Sequence, residues 1–244
     1  MAVACGVAVA NIYFPQAISP LIAGGLGVDE PSAALAATCS QLGYAVGVFL
    51  LVPLGDRLRH RRLVPGLSLL TAGGLVLAGT AATLPVLVAA SALIGFTTVV
   101  PQILIPMAAG LVAPERRGEV TGMLLSGLIG GILLARTFSG VLGEWFGWRA
   151  PYLVAAAVML VLTAAMAAFL PPTAPSTGER YPALVAAAVR LLRAEPMLRQ
   201  SVRYQVPAFA GFSAAWTALA LHVTGPRDHL GTPAVGLLAL VGAA

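Results

Sequence analysis

Charge is what this sequence has least of: Asp, Glu and Arg together make 9% of 244 residues, and there is no lysine. A soluble domain carries about 25% charged residues, so a water-facing globular enzyme is excluded. Cysteine is nearly absent as well. Cys5 and Cys39 lie inside apolar runs, with no CxxC spacing and no adjacent His, which implies neither a disulfide framework nor a metal centre and suits two small core residues. Nor is any of the first 28 residues basic, so the opening is not a secretion signal, which needs a basic n-region. What remains is apolar: 59% of the chain, with 27 Gly and 18 Pro. Disordered chains lack such apolar content. The composition is that of an integral membrane protein.

A spanning helix takes about 20 mainly apolar residues. Charge-free windows of that size occupy 1–28 and 31–55, and 63–114 is long enough for two. The turn between those two is expected at Thr83-Leu84-Pro85, because Pro disfavours helix in the residue before it. Further spans are expected at 120–142, which encloses Arg136, at 151–170, stopped by Pro171 and Pro172, and at 204–223. An apolar tract at 233–244 would begin another. The expected organisation is a six-helix transmembrane bundle over residues 1–170, a central linker over 171–203, and the incomplete start of a second bundle over 204–244, with both ends cut. The linker carries an amphipathic run at 181–198, with Leu184, Val185, Ala188, Leu191 and Leu192 set against Arg190, Arg193 and Glu195. That pattern suits a helix lying on a membrane surface.

Orientation follows from arginine, since cytoplasmic links collect positive charge. Alternate links hold Arg57, Arg59, Arg61 and Arg62, then Arg116 and Arg117, then Arg180, Arg190, Arg193, Arg199 and Arg203. The opposite links hold only Arg149 and Arg227, beside Asp29, Glu30, Glu144 and Asp228. The N-terminus and the Arg-rich links are therefore expected in the cytoplasm of a multi-pass cell-membrane protein. Basic residues spread in this way are topology signals, not a nucleic-acid patch.

Polar groups inside spans are costly and so are candidate sites. Arg136 stands about one turn beyond the midpoint of the fifth span, where it can anchor an anionic group, partner another charge, or snorkel to the interface. Asn11, Tyr13 and Gln16 share the first span with Pro15 and Pro20. Gln41 and Tyr44 lie three apart, hence on one face of the second. Gln102 follows Pro101, whose ring frees a carbonyl. With Trp216 in the seventh span, these residues can line a cavity or simply tie helices together. Gly122, Gly127, Gly130, Gly131, Gly140 and Gly143 crowd the fifth span and suit close or sliding helix contact. Trp145 and Trp148 read as interfacial anchors.

The second link reads Pro53-Leu54-Gly55-Asp56-Arg57-Leu58-Arg59-His60-Arg61-Arg62. An acidic group followed by closely spaced Arg can make charge-assisted bonds across a seam and release them in another conformation. This link resembles the signature of the major facilitator superfamily between its second and third helices, G-x-L-A-D-R-x-G-R-[RK]. Leu54, Gly55, Asp56, Arg57 and Arg61 fall in step, while Val52, Arg59 and His60 depart. Pro114-Glu115-Arg116-Arg117-Gly118 and Gly147-Trp148-Arg149 are similar to later elements of that family. Asn11-Ile12-Tyr13-Phe14-Pro15-Gln16 resembles the first helix of its bacterial drug and sugar efflux permeases.

The resemblance implies a facilitator-type helical bundle: a six-helix N-terminal half plus helix 7 and part of helix 8. It implies a secondary carrier working by alternating access, exporting a small organic molecule, with protons as a coupling ion and a monomer at full length. Asp56, Arg57 and Arg61 would form the cytoplasmic gate, and no cofactor or metal is implied. The fifth-helix antiporter signature G-x-x-x-G-P-x-x-G-G lacks its Gly-Pro pair here, and no acidic residue lies inside a span. Import, or a fragment that does not transport, is the alternative. An intramembrane serine protease needs a Ser and a His at one depth. Ser126-Gly127, Ser139-Gly140, His222 and His229 offer no such pairing, and the sequence shows no filter-like repeat for a channel.

Overall fold

The computed structural model describes residues 1–173 and 177–223, apart from the side chains of 213 and 216–223. Its helices are α1 (Ala2–Ala10), α2 (Phe14–Leu26), α3 (Glu30–Arg57), α4 (His60–Gly79), α5 (Leu84–Thr97), α6 (Val100–Gly110), α7 (Arg117–Phe146), α8 (Ala150–Phe169), α9 (Tyr181–Ala194) and α10 (Pro196–Val223). A single 3-10 turn, Pro114–Arg116, leads into α7, and no strand occurs among the described residues. Among the described residues six stretches are long and apolar enough to cross a membrane: α1 with α2, α3, α4, α5 with α6, the 3-10 turn with α7, and α8. The 20 residues of α4 cover about 30 Å at 1.5 Å per residue, the thickness of a bilayer's hydrocarbon core.

Helix ends follow local chemistry. Gly27 stops α2 in the left-handed conformation at φ 65°, and the N–H of Val28 returns to the carbonyl of Ala23. Asp29 then caps α3, accepting from the N–H of Ser32 at 3.4 Å. Gly147, at φ 85°, ends α7. The turn expected at Thr83-Leu84-Pro85 lies slightly earlier, because α5 begins at Leu84 with Pro85 in its first turn. Pro is well placed there, since the donor it lacks would be unpaired in any case.

Two spans expected to be continuous are interrupted. The first breaks at Asn11-Ile12-Tyr13, between α1 and α2. Pro15 lacks the N–H that would meet the carbonyl of Asn11, and the chain closes instead with shorter bonds, Ile12 N–H to Val9 O and Tyr13 N–H to Ala10 O. The fourth span breaks at Thr98-Val99, where Pro101 leaves the carbonyl of Thr97 without its donor in the same way. Here the Thr97 hydroxyl donates to Leu93 O at 2.9 Å and the Thr98 hydroxyl to Ile94 O at 2.6 Å. The hydroxyls of Thr71 and Thr97 are 2.9 Å apart, which ties α4 to this second break.

Glycine sets the helix contacts. α1 and α2 lie against α7, α3 against α5, and α4 against α8. A Cβ on Gly131 would overlap the backbone of Gly6, and one on Gly127 would lie 2.5 Å from the carbonyl oxygen of Ala2. On the other side of the bundle, Gly43, Gly47 and Gly95 bring α3 and α5 together in the same backbone-to-backbone manner. Gly122 and Gly130 have open space where a Cβ would stand, so the crowding of glycine in α7 has two uses. The buried core forms two clusters. One holds Phe14, Ile18, Leu75, Leu87 and Tyr152, and the other, nearer the Arg-rich links, holds Cys5, Val64, Leu104 and Met166. Leu42, Val46, Met123, Ile129 and Leu134 remain exposed along α3 and α7, as a lipid-facing bundle requires.

Two expectations need correction. Trp145 is exposed, but Trp148 is buried, with its ring edge-on to Tyr152 at 6.4 Å. Gly25 leaves the space, since a Cβ there would collide with the Trp148 indole, so Trp148 is a core residue and not an interfacial anchor. The amphipathic run expected at 181–198 is split: α9 ends at Ala194 and α10 starts at Pro196, because Pro196 disfavours helix at Glu195. The segment 204–223 is thus the later part of a longer helix that already contains Arg199 and Arg203. The tract 233–244 lies outside the described residues.

Candidate functional site

Arg136 is the sharpest candidate and is only 3% exposed. It sits on α7, facing the interrupted first span. Its Nη2 donates to Gln16 Oε1 at 3.1 Å, and its guanidinium carbon stands 5.2 Å from the centre of the Tyr13 ring. Both partners follow from the break. Tyr13 is the N-cap of α2 and Gln16 lies in its first turn, so the changed helix path turns a phenol face and an amide oxygen toward one guanidinium. Arginine stays charged in proteins. An aromatic face and an amide oxygen disperse that charge without cancelling it.

Asn11 sits at the same interruption, 2% exposed, and its Nδ2 has no hydrogen-bond partner among the described residues. On α3 the Ser40 hydroxyl donates to the carbonyl of Ile12 at 3.5 Å, so α3 supports the break from the side away from α7. Tyr44 follows one turn after Ser40 and packs half-buried against both core clusters. Gln41 is half-buried on α3. Gln102 belongs to the second interruption, in the first turn of α6, and its buried Oε1 also lacks a partner among the described residues. The structure therefore brings Tyr13, Gln16 and Arg136 into contact, sets Asn11 beside them, and leaves Gln102 at a separate break. Trp216 falls within α10, but its side chain lies outside the described residues, as do His222 and His229.

Asp56, Arg57 and Arg61, expected from the sequence to serve a gate, lie at the Arg-rich end. The backbone carbonyl of Asp56 accepts from Thr177 N–H at 3.2 Å. Arg61 Nε donates to Ala167 O at 3.3 Å, which ties α4 to α8, and Arg57 is exposed. His60 Nδ1 is 2.6 Å from the Thr173 hydroxyl, and the Tyr181 hydroxyl donates to Leu50 O at 2.8 Å. The stretch after α8 is thereby fastened to the α3–α4 link. At the opposite end Arg149 Nη2 donates to Ala81 O at 2.9 Å, and its guanidinium carbon lies 4.2 Å from the centre of the Trp148 ring.

Sequence reasoning did not find Ser40, Thr71, Thr97, Thr98, Thr173 or Tyr181. A signal existed for the Thr97-Thr98 pair, since threonine hydroxyls in a helix bond the carbonyl four residues back and so accompany bends. Nothing local marks Ser40 or Tyr181, whose partners are 28 and 131 residues away.

An uncatalysed binding chemistry fits this arrangement: one buried positive charge and a few amides and phenols, in a bundle whose first and fourth spans are both broken by proline. Interrupted helices in corresponding positions of two repeats mark the binding region of secondary carriers. Comparison with known proteins points the same way. The chain is 38% identical to the uncharacterized transporter YgaY of Escherichia coli O157:H7 over 97% of its own length and 60% of that protein. It is 37% identical to the protein named "Probable transporter SCO4007" of Streptomyces coelicolor over its whole length and 57% of that protein. It is 31% identical to "Multidrug resistance protein D" of Escherichia coli K12 over 73% of its own length and 45% of that protein. The chain thus spans 60% of the length of the first of these relatives and 57% of the second. The profile of the Major Facilitator Superfamily matches residues 1–244. With six apolar helices in place, the signature link between the second and third, and that match over every residue, this chain belongs to the Major Facilitator Superfamily.

Proposed function

We propose that the protein carrying this chain is a secondary active transporter that exports a small organic molecule across the cell membrane by alternating access, with protons as the coupling ion. It is a carrier and not an enzyme. In this reading residues 1–170 form the first bundle, with the N-terminus and the Arg-rich links in the cytoplasm. Residues 171–203 link it to a second bundle begun at 204–244, and the full protein is a monomer. The substrate cavity draws on Asn11, Tyr13, Gln16, Gln41, Tyr44, Gln102, Arg136 and Trp216. Asp56, Arg57 and Arg61 serve the cytoplasmic gate.

The observation that carries this reading is the buried contact of Arg136 with Gln16 and Tyr13 at the broken first span. A charge kept inside a span is expensive and is retained where it meets a substrate, an ion or a partner charge. The printed name of the multidrug relative supports export over import. The first six spans contain no interior carboxylate, so on this reading either the proton carrier is a group elsewhere in the protein or the coupling differs.

The test uses the full gene product in everted membrane vesicles, energised by a proton gradient and offered a panel of small organic solutes. Expected is gradient-dependent uptake into the vesicles, abolished by a protonophore and reduced at least tenfold by Arg136→Ala at equal membrane levels. Arg136→Lys, which keeps the charge but not the fork, retains part of it. Unchanged uptake in Arg136→Ala would reduce Arg136 to scaffolding. No gradient-dependent movement of any solute would overturn the carrier reading.

A further inference from the structure

We propose that the Arg-rich end of α4 holds an anionic phospholipid of the adjoining leaflet, with the phosphate among Arg57, Arg59 and Arg62 and an acyl chain along α4. This site is separate from the cavity around Arg136 and shares only Arg57 with the proposed gate.

A groove of about 780 Å³ opens at the α3–α4 link, lined by Arg57, Arg59, Arg62, Leu63, Gly66 and Leu70 among others. The lining residues of α4 recur every three to four positions, from Arg59 through Arg62 and Leu63 to Gly66 and then Leu69 and Leu70, so they form one face of the helix. The adjacent face is the packed one, with Val64 and Leu75 fully buried. On the groove face Leu69 and Leu70 are 54% and 55% exposed. Gly66 has open space where a Cβ would stand, and this forms a notch midway along the stripe.

The order of chemistry along this face is that of a phospholipid. Three guanidiniums stand at the membrane-surface end, and only apolar groups follow. From Arg59 to Leu70 the helix rises about 16 Å at 1.5 Å per residue, close to the half-thickness of a bilayer's hydrocarbon core. A soluble anion would need the basic end but not the apolar stripe below it. A packed helix from elsewhere in the protein would cover the stripe but leave three adjacent guanidiniums without counter-charge. Arg binds phosphate by paired donors, and basic pockets at helix ends on the cytoplasmic side suit anionic headgroups. One of these three, Arg59, stands where the resembled signature has glycine. The added charge at 59 falls on the groove itself.

The test measures binding of phosphatidylglycerol and phosphatidylcholine to the full gene product in detergent, by native mass spectrometry and by thermal unfolding. Expected is retention of phosphatidylglycerol over phosphatidylcholine with a matching rise in melting temperature. Each basic residue near an anionic headgroup is worth roughly a fivefold change in binding, so the R59Q/R62Q double variant loses about thirtyfold in phosphatidylglycerol affinity. Gly66→Phe keeps all three Arg but fills the notch, and it weakens binding without changing the headgroup preference. Both variants leave Arg57, and with it the gate residues, intact. Equal binding of the two lipids by the unchanged protein overturns the proposal. So does undiminished phosphatidylglycerol binding in both variants, which would mean that the groove is covered by protein and that the arginines act only as topology signals.

Discussion

Replacing Gly131 with alanine tests whether α1 and α7 meet backbone to backbone. The added carbon would lie 2.5 Å from the carbonyl carbon of Gly6, and closer still to its oxygen and Cα. Non-bonded carbons settle at about 3.5–4.0 Å, so the two helices must part by roughly 1 Å. No flexible side chain can yield in their place. A gap of that size forfeits about a quarter to a half of each contact's dispersion energy along the seam, and overpacking of this kind costs about 1–3 kcal/mol. Alanine also favours helix over glycine by about 1 kcal/mol, which would blur a single measurement. Gly130→Ala removes that ambiguity. It makes the same chemical change one residue away, where nothing lies within 4 Å. The propensity gain cancels between the two variants, leaving a difference of about 1–3 kcal/mol in favour of Gly130→Ala. Thermal unfolding of the full protein in detergent reads this as roughly 2–4 °C for each kcal/mol. Equal melting temperatures would refute the α1–α7 contact and, with it, the placement of Arg136 against the first span.

Three further outcomes follow from named contacts. Arg149→Ala removes the 2.9 Å bond to Ala81 O and the guanidinium over Trp148. It should lower stability by about 1.5–3 kcal/mol, the usual range for a charged hydrogen bond; an unchanged melting temperature would show the link to be idle. Thr97→Val removes the partner of the Thr71 hydroxyl and the donor to Leu93 O, for an expected loss of about 1–2 kcal/mol in the same assay. Hydrogen bonding to Ser32, through its side chain first and then through the backbone N–H of the cap, holds the Asp29 carboxyl below its ordinary range. Its contribution is therefore present above the unfolded carboxylate pKa and lost as pH falls through the folded one. The protection of the Ser32 amide, its exchange rate relative to that of an unstructured amide at the same pH, should fall on acidification through that window, and Asp29→Asn should remove the dependence.

The spans were legible because apolar content and the placement of arginine are properties of the linear chain. Membrane insertion reads the same two quantities. Pro15 and Pro101 lie four residues after the carbonyls where the two spans break, but Pro20, Pro53 and Pro65 remove a donor in the same way inside unbroken helices, so proline alone did not tell which spans would part. What could not be read is register. Gly6 is one glycine among many until α7 lies against it, and Gly130 and Gly131 look alike in sequence although only one touches α1. Trp148 shows the same limit from the other side. A tryptophan near a span end is interfacial by composition, and only the absence of a side chain at Gly25, far earlier in the chain, lets it turn inward. Arg136 was recognisable as a costly residue. Its partners on the first span were candidates for the same reason, but that Tyr13 and Gln16 face it, while Gln102 does not touch it, depends on how the break turns α2.

The two interruptions are held in different ways, and the difference bears on how the bundle can move. Bare backbone polar groups in hydrocarbon cost several kcal/mol, so a break within a span survives only where protein groups satisfy it. At Thr98-Val99 the hydroxyls of Thr97 and Thr98 serve carbonyls of their own helix. Those bonds travel with α5 when it shifts as a body, and the 2.9 Å contact between the Thr97 and Thr71 hydroxyls ties the break to α4. At Asn11-Ile12-Tyr13 the supports come from other helices: Ser40 on α3 reaches the carbonyl of Ile12 at a long 3.5 Å, and Arg136 on α7 reaches Gln16 and Tyr13. A displacement of α3 or α7 relative to α2 therefore breaks bonds at the first interruption and spares those at the second. Any solute group that competes for Arg136 loosens the same point. The first break is thus the place where occupancy of the candidate site and the relative position of three spans are expressed through the same few hydrogen bonds.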